Sequence, residues 1–263
     1  MNLKALTILV LIMVSARLES QINDTVNKTD NSGKKQGHWI KRFQNGHLQY
    51  DGFFKDDHPT GIFRRFYDND SLKSVLIFSN DGKAAEATIY HPNGYSASKG
   101  KFVNQIKEGK WLFYSSSTEG YLISEENYLN NLKNGPSLKY YADKSIAEKL
   151  NYNNDVRTGE WIQYFPNGVT CLKANYSEGK LQGKFEVFYT DGRPQYVGQY
   201  KNDLRNGLWY IYNNDGTLKY SIDYADGIAK NHEIYKKESD YLDSLERNKG
   251  KFSDPEKTGT IWK

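Results

Sequence analysis

GPSLKYYADK from Gly135, GEWIQYFPNG from Gly159, GKFEVFYTDG from Gly183 and GLWYIYNNDG from Gly207 align without gaps, each starting 24 residues after the one before. A fixed period of this length is the signature of a repeat architecture. Run backwards, the register gives starts at Gly109, Ala85, Gly61 and Gly37, with two extra residues within 115–118 as the one correction. Counting each start as position 0, position 17 is aromatic in all eight units: Phe54, Phe78, Phe102, Tyr128, Tyr152, Tyr176, Tyr200 and Tyr224. Coincidence would produce that column with a probability on the order of 10⁻⁷.

Each unit reads as a β-hairpin. Positions 8 and 9 are Asn-Gly or Asp-Gly in five units (Asn45-Gly46, Asn93-Gly94, Asn167-Gly168, Asp191-Gly192 and Asp215-Gly216). These dipeptides favour the positive φ angles of two-residue hairpin turns. Such a turn pairs position 6 with 11, 4 with 13 and 2 with 15. One face then collects Trp39, Phe63, Trp111, Trp161, Phe185 and Trp209 at position 2 and the rings at position 17. It also collects Leu48, Leu72, Leu122, Ile146 and Leu218 at position 11. The second strand's other face carries residues such as Lys173, Asn175, Gln199 and Asp223. This split of apolar from polar supports the register. Cys171, at position 12, falls on the polar face and is expected to be an accessible thiol. Sequences such as Ser177-Glu-Gly-Lys180 and Lys201-Asn-Asp203 turn the chain back between units. Short antiparallel connections make a meander. The expected fold is therefore all-β, an elongated, twisted antiparallel meander of eight hairpin repeats over residues 37–230, in which neighbours supply each other's core.

The pattern G-x-W-x-x-Y-x-x-N-G-x-L, closing on an aromatic before a Gly-Lys turn, resembles the MORN-repeat variant of bacterial YwqK-type antitoxin-like proteins. The resemblance covers 37–230 and implies a β-hairpin array that acts as a scaffold for protein or lipid association. The antitoxin name further implies neutralisation of a partner protein, a role that fits poorly with an export signal.

That signal lies at the N-terminus. Lys4 precedes an apolar run, Ala5–Val14, too short to span a bilayer, and Val14-Ser15-Ala16 places small residues where a signal peptidase cuts. Residues 1–16 read as a signal peptide, with cleavage nearer Ser20 as the alternative. Residues 17–36 read as a flexible leader. Cys171 is the single cysteine, so there is no lipid-attachment cysteine and no internal disulfide. The expectation is a secreted, periplasmic or outer-envelope protein. Beyond Lys230 the repeat pattern stops. Ser239 or Asp240 begins a segment with Tyr241, Leu242 and Leu245 on one side, read as a short helical cap within a C-terminal cap and tail, 231–263.

The chemistry points to binding. The charge of +4 arises from 36 basic and 32 acidic residues intermixed, without the basic stripe of a nucleic-acid binder. The five histidines are scattered without metal-ligand spacing, and the turn Gly179-Lys-Leu-Gln-Gly183-Lys184 lacks the spacing and hydroxyl of a phosphate loop. No enzyme, metal or cofactor is expected. A carboxylate pair assembled across strands is the one catalytic element that such a sequence would hide.

One column breaks the polar face. Position 5 is aromatic in seven units: Phe66, Tyr90, Tyr114, Tyr140, Tyr164, Phe188 and Tyr212. Either these rings stack along the sheet and shield its backbone, or the array coils and buries both faces, or the rings form a ladder on which a protein strand, a glycan such as peptidoglycan, or a lipid surface rests. The leading expectation is a protein partner, with a glycan or membrane surface as the alternative.

Overall fold

A computed structural model describes residues 25–79 and 81–230. The described residues form one antiparallel sheet of twenty strands and no helix. Each unit supplies a first strand and a second strand, as in Val156–Tyr164 followed by Thr170–Ser177. Strand contacts run between sequence neighbours, so the array is a meander in a single layer. The expected signal peptide and C-terminal helical cap lie outside the described residues. The leader is not wholly flexible: Lys28–Thr29 pairs with Lys35 and Gln36 across a turn held by the Asp30 carboxylate.

Register through most of each hairpin follows the expected pairing, with Trp161 opposite Ala174 and Gln163 opposite Leu172. At the tip it does not. Phe165 N–H donates to the Val169 carbonyl and Gly168 N–H to the Phe165 carbonyl, so the loop is Pro166-Asn167-Gly168, a three-residue turn with only Gly168 at positive φ. The extra residue is absorbed by a β-bulge, after which Tyr164 faces Thr170. The same shift recurs across the units, pairing Phe66 with Leu72, Tyr114 with Leu122, Tyr140 with Ile146 and Tyr212 with Leu218. Leu48, Leu72, Leu122, Ile146 and Leu218 are thereby moved off the tryptophan face and onto the face of the position-5 rings. The displaced position 12 carries Cys171, which is half-buried rather than open.

The two-residue turns with both φ positive lie between units, at Asp56-Asp57, Asn104-Gln105, Asn130-Asn131, Asn154-Asp155, Glu178-Gly179, Asn202-Asp203 and Asp226-Gly227. Each is clasped to the unit before. Asp155 N–H donates to the Lys133 carbonyl while Lys133 N–H donates to Asp155 Oδ1, and the same pair of bonds joins Asp203 to Leu181. The start glycines, among them Gly159 at φ 67°, occupy bulges where successive units meet. The unit that starts with Ala85 has no such bulge, and Ser74–Phe78 pairs continuously with Ala85–Ile89.

The tryptophan face forms the core without a second layer. A ring at position 2 lies on the backbone of the unit before wherever position 15 there is glycine. A Cβ on Gly52, Gly100 or Gly198 would sit within 2.1–2.3 Å of Phe63, Trp111 or Trp209, respectively. Trp111 and Trp209 are completely buried, and each donates its indole N–H to the carbonyl after that glycine, Lys101 and Gln199, at 3.2 Å. The core is divided in two. A large cluster runs from Leu150 to Ala229, and a small one holds Ala87, Trp111 and Phe113.

Candidate binding surfaces

Between the two clusters the tryptophan face turns polar. Position 2 is Ser137 here, and its flanking positions are Glu126, Lys139 and Glu148. Both carboxylates are almost fully buried. Glu148 receives Lys139 Nζ at 2.9 Å on Oε1 and accepts Trp161 Nε1 at 3.2 Å and Gln163 Nε2 at 3.0 Å on Oε2. Glu126 accepts Lys133 Nζ at 2.8 Å and the Tyr128 hydroxyl at 2.6 Å. Burial lowers the pKa of Lys139 despite the opposing pull of Glu148. This is a carboxylate pair across strands of the kind that sequence cannot locate. Every carboxylate oxygen is met by an internal donor, an arrangement that fixes these side chains.

A cationic row borders the same face, two residues before each unit start. Lys35 lies over Trp39 and Phe54, and Lys107 over Trp111, Phe113 and Tyr128. Lys133 lies over Tyr152, Arg157 over Tyr176, and Arg205 over Trp209 and Tyr224. These cations shield ring faces that no second layer covers. The row escapes a sequence reading because the positions alternate among Lys, Arg, Pro, Leu and Ala.

The opposite, outer face carries the position-5 ladder. Phe66, Tyr90, Tyr114, Tyr140, Tyr164, Phe188 and Tyr212 all lie on it, and all are half-buried. Each is paired across the hairpin with position 11, and Lys99 and Lys149 lie over Tyr114 and Tyr164. The Tyr140 hydroxyl bonds to Glu125, and burial with that charge pushes its pKa up to about 12. Exposed apolar side chains extend the face at both ends, with Phe53, Ile62 and Ile77 toward the N-terminus and Leu208 and Tyr210 toward the C-terminus. Several of its charges are matched internally: Lys110 pairs with Glu125, Lys173 with Glu160 and Lys184 with Glu186.

A set of ties that position 6 provides holds this ladder in place. Tyr67 donates its hydroxyl to the Tyr90 carbonyl at 2.8 Å, Tyr141 to Tyr164 at 2.6 Å and Tyr189 to Tyr212 at 2.8 Å, each to the position-5 residue of the next unit. His91 approaches the Tyr114 carbonyl in the same way. Asn45, Asn93 and Asn167 add a second tie, donating Nδ2 to a carbonyl 23 residues on while Oδ1 accepts an N–H of their own turn. The aromatic character of position 6 is visible in the sequence. Its role is not, because the two-residue turn would place it on the wrong side.

Among the described residues no group of three His, Cys, Asp or Glu side chains has the placement to hold a metal ion. No curated protein matches the chain. Among solved structures, the chain is similar to one titled "Crystal Structure of TcdB2-TccC3-Cdc42", at 10% identity and a TM-score of 0.20 over 75% of this chain. It is also similar to one titled "Crystal Structure of TcdB2-TccC3-TEV", at 10% identity and a TM-score of 0.18 over 70% of this chain. It spans 13% of the length of either. Four tandem segments, residues 133–154, 157–178, 181–202 and 205–226, match the family described as the MORN repeat variant. Each matched segment starts at the ring-covering position, or its equivalent, and closes at the next inter-unit turn, so the match to the MORN repeat variant is in phase with the C-terminal half of this array.

Proposed function

We propose that the chain is a non-catalytic binding module that presents its outer sheet face to a partner protein. The observation that carries this reading is the position-5 ladder: seven half-exposed rings at one per unit, each backbone anchored by a neighbour's hydroxyl or by pairing. Rigid rings supply contact area at little entropic cost. With two strands per unit, the ring spacing is roughly 10 Å, close to the ~9.3 Å at which every third side chain of a polyproline-II peptide returns to one face. MORN repeats generally serve as protein- or membrane-binding modules. The matched charges of the outer face favour the protein, because an anionic membrane surface selects an excess of Lys and Arg. The apolar run Ala5–Val14 supports export as the setting.

The test replaces Tyr140, Tyr164 and Phe188 together with Ser. Native and variant chains are compared for retention of envelope proteins, isolated peptidoglycan and phosphatidylserine vesicles. The expected result is a folded variant that loses a protein retained by the native chain. Retention of the same proteins by both chains would remove the ladder as the contact. Loss confined to peptidoglycan or to vesicles would assign the face to a glycan or a membrane instead.

A further inference from the structure

The cationic row on the tryptophan face is interrupted once among the aromatic-rich N-terminal units, and the interruption opens a cavity. Pro59 stands where Lys35, Lys107, Arg157 and Arg205 elsewhere lie over rings, and Lys83, at the next equivalent position, is exposed. Position 2 of the third unit is Ala87, where every other unit except that of Ser137 carries Trp or Phe. The space left is a cavity of ≈ 420 Å³, walled by Phe54, Phe63, Phe78 and Phe102, with Leu76 and Ala85 among the residues that complete it. Its size falls in the ~300–1,000 Å³ range of small-molecule sites.

The rim is built rather than loose. Gly82 approaches the preceding turn so closely that a Cβ there would lie 2.8 Å from the Pro59 carbonyl oxygen and 3.0 Å from His58 Cβ. The polar lining is asymmetric in charge. Arg65 and Lys83 both line the cavity. The one acidic lining residue, Asp57, uses Oδ1 to accept the Lys35 N–H. A ring-walled space bordered by two cations, Lys83 and an Arg65 whose guanidinium lies over the Phe63 ring, selects a ligand with an apolar body and a negative end.

We infer that this cavity binds an apolar carboxylate, its hydrophobic body against Phe63, Phe78 and Phe102 and its carboxylate between Arg65 and Lys83. The carboxylate belongs either to a free organic acid or to the C-terminus of a peptide ending in an apolar residue. The site lies on the face opposite the position-5 ladder, so the two binding activities can be lost separately.

Calorimetric titration of the full chain with 2-naphthoate and with its neutral amide, 2-naphthamide, tests the inference. Naphthoate is expected to bind saturably, and the amide about tenfold more weakly, the difference expected of one charge-assisted contact. Arg65→Gln with Lys83→Gln, both at exposed positions, should abolish that preference while leaving thermal unfolding unchanged. Ala85→Leu should fill the cavity and abolish binding of both probes; where it fails to fold, the charge variants decide alone. Equal binding of acid and amide, a preference insensitive to the charge variants, or no saturable binding of either probe overturns the inference. A hydrophobic tetrapeptide with a free or an amidated C-terminus distinguishes the sources. Binding of the free-ended peptide alone, or more tightly than naphthoate, assigns the site to a chain terminus, and binding of naphthoate without the peptide assigns it to a small acid.

Discussion

Trp161 donates its indole N–H to Glu148 Oε2 at 3.2 Å, whereas Trp111 and Trp209 at the same position of their units donate to backbone carbonyls. The residue at position 15 of the preceding unit decides which. Gly100 and Gly198 let the ring settle on the backbone, and Leu150 does not. The displaced indole then finds the buried carboxylate that sits one pair further along the hairpin. A polar cluster in the middle of the core is thus tied to the first ring of the large apolar cluster.

Trp161→Ala should destabilise the array by ~3 kcal/mol or more, because it deletes a large buried ring and leaves Glu148 short of a donor. Tyr164→Ala should cost about 1 kcal/mol, since that side chain is half-exposed and the bond from Tyr141 goes to its backbone carbonyl. Denaturant unfolding of the two variants checks the contrast. Equal losses would mean that the outer ladder is packed as tightly as the core.

Lys139 and Glu148 should behave as a unit. Lys139→Met strands a buried carboxylate and should cost about 3–5 kcal/mol, whereas Lys139→Met with Glu148→Leu removes both charges and should recover most of that loss. Since burial lowers the Lys139 pKa on folding, the native pair takes up its proton less readily than the unfolded chain. Through the window between the two pKa values, its contribution to stability therefore rises with pH. Unfolding of the single and double variants by urea measures the coupling.

The period, the hairpins and the ring columns were legible in the sequence because each recurs in every unit or nearly so. The tip was misread for a physical reason. Asn-Gly and Asp-Gly suit both a two-residue turn and a three-residue loop closed by a glycine bulge, and only the second moves Leu48 and Leu218 across to Arg42 and Tyr212. Conversely, the two-residue turns fell on pairs such as Asn154-Asp155, where side-chain clasps rather than glycine hold positive φ. The Glu126–Glu148 cluster and the cavity were illegible because both arise where the repeat is broken, at Ser137 and at Pro59 with Ala87, and a periodic reading averages such positions away.

The tip ties give small, separable effects. Tyr141→Phe should cost about 1 kcal/mol, the loss of one hydroxyl bond to the Tyr164 carbonyl. Asn167→Asp keeps the acceptor for the Val169 N–H and loses only the donor to the Thr190 carbonyl, so it should cost less than Asn167→Ala, which loses both. The array already contains both outcomes: Phe165 takes the position of Tyr141, and Asp191 that of Asn167. Thermal unfolding of the three variants ranks them.

Cys171 should react slowly. The bulge sets its thiol half-buried, close enough to Tyr141 to interact with it electrostatically, and burial raises its pKa. At neutral pH the thiolate fraction is then below that of a free cysteine, and so is the labelling rate. Iodoacetamide labelling of native protein should lag behind that of urea-unfolded protein and accelerate only at more alkaline pH. Labelling at equal rates in both states would place the thiol in open solvent.

Alkali should unfold the array through its buried tyrosines. Burial pushes Tyr176 up to about 12 against the pull of Arg157, and Tyr140 also stands at about 12. Tyr67, Tyr114, Tyr121 and Tyr141 are raised in the same direction. For each, the folded phenol holds its proton more tightly than the unfolded one, so the stability it contributes is complete below about pH 10 and is lost as pH rises toward 12. Tyrosinate absorbance of the native chain should therefore rise late and cooperatively, together with loss of the sheet signal in circular dichroism. Tyr176→Phe removes one of the strongly raised groups and should shift that transition to higher pH while surrendering the hydroxyl contact with Arg157. A gradual titration near pH 10 with the sheet intact would show instead that these phenols reach solvent without unfolding.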